Sequence, residues 1–99
     1  MQGLILHRKD FGTIAHQFDL NDYEIAATYE ADIDDLTDFL EMAYEATNSI
    51  DYHWSENEGI SVSGIYSKRS TCVGDIVWIE DKIYQVHHVG FKFLTSTEA

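Results

Sequence analysis

The sequence predicts an α+β fold, an antiparallel sheet with one main amphipathic helix, about 33–47, packed on one face and a C-terminal β-hairpin, 75–79/83–94. Three observations lead there. Ile33, Leu36, Leu40, Ala43, Tyr44 and Thr47 fall on one side of a helix, with acids on the other. The runs 75–79 and 83–89 are rich in β-branched and aromatic residues and straddle Glu80-Asp81-Lys82, a hairpin pattern. The single cysteine, Cys72, can close no internal disulfide and cannot alone hold a zinc ion, so the core must be built by packing.

Each element has its own local argument. Leu4–His7 is a short apolar run that reads as a first strand ending near Asp10–Gly12, and Thr13–Leu20 is a weaker strand candidate. Tyr23, Ile25, Ala27 and Tyr29 alternate with Glu24, Ala26, Thr28 and Glu30, which favours a half-buried strand over the competing helix. Asp32 is a good N-cap for the helix, Asp35 adds negative charge to its first turn, and Asn48 suits its end. Residues 48–59 read as a connection carrying Tyr52 and Trp54; Ile60, Val62 and Tyr66 share the parity of an extended segment. Gly90 breaks or bulges the strand before Phe91–Leu94. Proline is absent, so glycine, Asn and Asp must make the corners. With no linker or repeat, residues 1–99 are expected to form one acidic domain.

Charge narrows the function classes. Six Lys/Arg stand against 18 Asp/Glu, a formal net charge of -12. That balance excludes direct binding to a nucleic-acid backbone or an anionic membrane. No apolar run is long enough to span a bilayer, and the opening MQGLILHRKD is too short for a signal peptide, so the expected compartment is the cytoplasm. Between Lys9 and Lys68 there is no Lys or Arg at all, yet most of the acids lie there. Asp34, Asp38, Glu41 and Glu45 form a stripe opposite the apolar face, with no Lys between them to offset like-charge repulsion. Such a stripe is either a solvated face or a surface for a basic protein partner, and its carboxylate spacing approaches that of nucleic-acid phosphates.

Motifs for chemistry are absent. The histidines show no HxH or HExxH spacing, no loop resembles an EF-hand, and Gly59-Ile-Ser-Val-Ser-Gly64 is one residue too long for GxSxG. The sequence therefore nominates no catalytic residue, metal site or cofactor, and an enzyme is the less favoured reading. The open alternative is a small ligand-binding domain or enzyme using the loop around Trp54, Asn57 and Arg69. Ser70 and Thr71 suit side-chain bonds at a corner, Gly74-Asp75 suits a turn into a strand, and Arg69 is expected to pair with an acid or with the helix C-terminus. Edge strands direct any homodimer contact to the β half, away from the acidic helix.

One resemblance extends this reading. Thr47-Asn48-Ser49-Ile50, then Trp54 and Asn57, then Arg69-Ser70-Thr71-Cys72-Val73-Gly74-Asp75-Ile76, and last Gly90-Phe91 form a pattern over about 23–94. It resembles YodL-like domains of small phage and mobile-element proteins, with Cys72 where the pattern has Ser and Glu80-Asp81 in place of an Asp-Gly turn. The resemblance implies an accessory role in phage or mobile-element biology, in the host cytoplasm. It supplies no active site.

Overall fold

The computed structural model describes residues 1–10, 12–48, 57–62 and 69–97. Six strands, β1 (Gln2–Arg8), β2 (Tyr23–Glu30), β3 (Ile60–Val62), β4 (Ile76–Ile79), β5 (Lys82–Val86) and β6 (Phe91–Ser96), form one sheet with the order β3-β2-β1-β4-β5-β6. Every pairing is antiparallel. Among the described residues one α-helix, α1 (Leu36–Ala46), follows β2. The fold is α+β, as the sequence predicts.

β1 is central, and its residues explain why: Gly3, Ile5, Leu6 and His7 are all buried, so both of its faces meet protein. On one face lies α1, whose Phe39, Leu40 and Ala43 join Ile5, Ala27, Tyr29, Val77 and Ile79 in a single cluster. The approach is close. A Cβ on Gly3 would stand 3.1 Å from the Phe39 ring and 3.3 Å from Val77, so glycine is what lets the helix settle there.

The opposite face is covered by the connection from β1 to β2. Thr13–Leu20 is not a strand; up to a single 3-10 turn at Leu20–Asp22 it runs without ladder bonds. Its alternation is too weak to compete with β4 for the free side of β1. Instead Phe18 stacks on Tyr23 at 5.3 Å and meets Trp78 edge-on at 5.7 Å, over Leu6, Ile76 and Ile83. The Gln85 amide holds this segment by exchanging hydrogen bonds with the backbone of Ala15.

β2 corrects the simple alternation. Ile5 faces Ala27 but Leu6 faces Ile25, so Ala26 is an extra residue, a β-bulge. The bulge changes parity along the strand: Tyr23 points to the 12–22 side, Tyr29 points to the helix, and Ile25 is left half exposed.

The helix also begins later than its pattern suggests. Asp35, not Asp32, is the N-cap, accepting from the Asp38 amide at 2.9 Å, and Ile33 precedes the first turn. The buried arc runs through Phe39, Leu40, Ala43 and Thr47, whereas Leu36 is 37% exposed in the first turn. At the hairpin between β4 and β5, Glu80 adopts φ 55, the left-handed position that a two-residue loop needs, and the Trp78 indole donates to its carbonyl. The arm expected over 83–94 folds back at residues 87–90, making β5 and β6 a second hairpin closed by the His87 amide on Gly90 O.

This packing predicts unequal costs along α1. Phe39→Ala should destabilise the fold by about 3–5 kcal/mol. Leu36→Ala should cost less than about 1 kcal/mol. Urea denaturation followed by tryptophan fluorescence measures both, and similar costs would mean that the helix is phased as its sequence pattern suggested.

Candidate functional site

Of the four acids in the predicted stripe, Asp38, Glu41 and Glu45 lie on the outer face of α1, while Asp34 stands just before the N-cap rather than on the helix. All four are exposed. Among the described residues none of them forms an ion pair. The stripe is centred opposite the buried arc, so it faces solvent over the helix length.

The Arg69–Asp75 segment is different in kind: its charges are turned inward. Asp75 is wholly buried, and the Arg69 guanidinium grips it with both amino groups, at 2.6 and 2.7 Å. The remaining carboxylate bonds come from the amides of Arg8 at 2.7 Å and Cys72 at 2.8 Å. Arg69 donates further to the carbonyls of Arg8 and Ser70. Thr71 is buried as well, its hydroxyl 3.0 Å from the His7 ring and its amide on the Thr47 carbonyl. Asn48 donates to Thr71 O and to the Tyr44 hydroxyl, so the end of α1 is sewn to the same loop. Gly74, at φ 94, lies where a Cβ would collide with the Thr13 carbonyl, which is why this turn requires glycine. Arg69 thus pairs with an acid, as expected, and Asn48, Ser70, Thr71 and Asp75 serve a joint between β1, α1 and β4.

That geometry leaves the joint little chemistry. Burial pushes the Cys72 thiol above its ordinary value, the Asp75 charge adds to this, and Arg69 opposes it. Cys72 is therefore a protonated thiol at neutral pH rather than a nucleophile. Of the alternative loop site, Trp54 lies outside the described residues. Asn57 donates to Ala46 O at 2.6 Å and lines a concavity on the helix side of the sheet. Among the described residues no three His, Cys, Asp or Glu side chains could hold a metal ion together, and no helix is long and apolar enough to cross a membrane.

The concavity beside Asn57 is what sequence reasoning missed. It measures about 450 Å³ and lies between Met42, Glu45 and Ala46 of α1 and the end of β2, with Asp32 and Glu58 on its rim. Tyr29 forms part of it, its ring packed on Phe39 at 5.4 Å. The turn that carries Glu58 is tied down by the Glu30 amide on Gly59 O. Burial raises the Tyr29 phenol above its ordinary value, and the charges of Glu45 and Glu58 raise it further. Glu30 and Glu58 sit far apart in sequence, and only the β2–β3 pairing brings them together.

Three expectations check this account. Arg69→Met should cost about 3 kcal/mol in urea denaturation, because it leaves the buried Asp75 carboxylate uncompensated. Asp75→Asn should cost less, because the Arg69 left behind is partly exposed. Their effects should be strongly non-additive in the double variant. Iodoacetamide should modify Cys72 at pH 8 several-fold more slowly in the folded chain than in urea, roughly in proportion to thiolate. Since Cys72 and Tyr29 both have raised values when folded, stability is full below pH ~9 and falls as pH rises through them. No protein-family model, curated protein or solved structure matches this chain.

Proposed function

We propose that this chain is a non-catalytic interaction protein that presents the acidic outer face of α1 to a basic protein partner. The observation that carries the reading is that Asp34, Asp38, Glu41 and Glu45 are all exposed and, among the described residues, unpaired. Surface acids in ordinary domains are interspersed with Lys and Arg, whereas α1 carries neither. Like-charge neighbours along a helix cost stability, so an uncompensated row is best explained by use. The same row offers a basic partner the charge, and roughly the spacing, of a phosphate backbone, which makes nucleic-acid mimicry the natural form of the interaction. Inward commitment of Arg69 and Asp75 to each other argues against the ligand-binding alternative at that loop.

With the YodL-like pattern, the setting we propose is an accessory protein of a phage or mobile element acting in the host cytoplasm. A homodimer would form through the β half, where the edge strand β6 exposes Phe93.

The test is neutralisation of the stripe by Asp34→Asn, Asp38→Asn, Glu41→Gln and Glu45→Gln together. Relief of repulsion and loss of favourable charge at the helix N-terminus oppose each other, so stability should change by less than about 1 kcal/mol. Basic proteins captured from a bacterial lysate by the parent chain should be lost by the variant. Their binding to the parent should weaken steeply with salt, since exposed charges are screened within ~8–10 Å. Recovery of the same proteins by both forms would make the stripe a solvated face and end this reading.

A further inference from the structure

We propose that the cleft between the C-terminal half of α1 and the end of β2 is an anchor site for one arginine side chain of that basic partner, its guanidinium held between Glu45 and Glu58 and donating to the Tyr29 hydroxyl. The inference rests on the partner reading above and locates where such a partner is gripped rather than merely attracted.

The first observation is Tyr29. The residue is 5% exposed, its hydroxyl has no hydrogen-bond partner among the described residues, and that hydroxyl is not sealed off but reached from the cleft that Tyr29 lines. A hydroxyl held by a packed ring and left to solvent alone is a fixed acceptor for a donor that enters the cleft. The second is charge. Glu30, Asp32, Glu45 and Glu58 surround the cleft, and none of them forms an ion pair among the described residues. The nearby Met1 ammonium is engaged with the Ala31 carbonyl at 2.7 Å.

The chemistry of the occupant follows. A metal ion is disfavoured, because no three carboxylates of the described residues converge closely enough to coordinate one. The cleft, about 450 Å³, is also far larger than an ion needs. It suits an extended cation with several donors, which can reach separate carboxylates and a phenol oxygen at once. Arginine presents five donors in a rigid planar fork, while lysine is a compact point charge. Ile33, Met42 and Ala46 supply apolar wall for the methylene stem. Glu45 belongs to both the stripe and the cleft, so a polypeptide lying along α1 would bring a side chain to the opening.

The probe is an acetylated and amidated Gly-Gly-Arg-Gly-Gly peptide, with lysine and citrulline versions as controls, titrated against the full chain. Amide shifts of Ala31, Ala46, Glu58 and Gly59 should saturate with the arginine peptide, respond about tenfold more weakly to lysine, and not respond to uncharged citrulline. Glu58→Gln should weaken binding about tenfold. Tyr29→Phe, which removes an unpartnered hydroxyl and keeps the ring, should weaken it by a smaller factor with the fold unchanged. The variant Asp34→Asn/Asp38→Asn/Glu41→Gln spares the cleft and should leave peptide affinity within about twofold, apart from weak long-range charge effects.

Equal response to lysine and arginine, or shifts that do not saturate, would overturn the anchor site. So would indifference of the affinity to both Glu58→Gln and Tyr29→Phe. If the stripe variants lose the basic partner while the peptide leaves the cleft unshifted, the anchor fails and the partner reading stands. If the peptide saturates the cleft while stripe neutralisation changes no captured protein, the partner reading fails alone.

Discussion

The Asp75 carboxylate is the point on which the rest of the structure hangs. A buried charge is tolerated only when its hydrogen-bonding capacity is filled, and here four donors fill it: two from Arg69 and the amides of Arg8 and Cys72. Those donors come from the end of β1 and from the loop that leads into β4. Through Thr71 the same loop accepts the end of α1. One side chain thus fixes the relative positions of the central strand, its C-terminal partner and the only helix among the described residues. It also occupies one of the chain's six basic side chains, which stays half-buried in the pair.

The bulge at Ala26 has a comparable reach. Without the extra residue, Tyr23 and Tyr29 would share a face of the sheet, since they are an even number of positions apart. With it, Tyr23 anchors the covering segment on one side and Tyr29 reaches the helix on the other. The Arg8 guanidinium uses the first of these rings, lying 5.6 Å from its centroid and donating to its hydroxyl. The second ring is buried by Phe39, with its polar end directed to the acidic cleft.

Legibility in the sequence followed the range of the interactions. The β4–β5 hairpin and the existence of α1 were readable because Ile76–Ile79, Ile83 and the i, i+3, i+4 pattern carry their information locally. The helix start was misplaced because Asp32 and Asp35 are equally good caps in isolation; the tertiary position of the chain leaving β2 decides between them. Phe39 escaped the apolar stripe because a stripe phased on Ile33 includes a residue that is not helical. Thr13–Leu20 remains a weak strand candidate in the sequence because nothing local says that β4 takes the vacancy beside β1. The acidic stripe was visible, being a property of one helix. The cleft was not, because Tyr29, Glu45 and Glu58 come from three elements and meet only in the finished sheet.

The placement of β1 between β2 and β4 has a kinetic side. β1 is made first and has Leu4, Ile5 and Leu6 ready to pair, but its second partner lies near the other end of the chain. β4, β5 and β6 form from contacts close in sequence, so this meander can assemble early and wait. Joining it to β1 closes the longest loop in the molecule, the slow step of an antiparallel topology. Until then a growing chain on the ribosome carries an apolar strand edge open to any neighbour, and the heavy negative charge of the intervening segment keeps such neighbours apart.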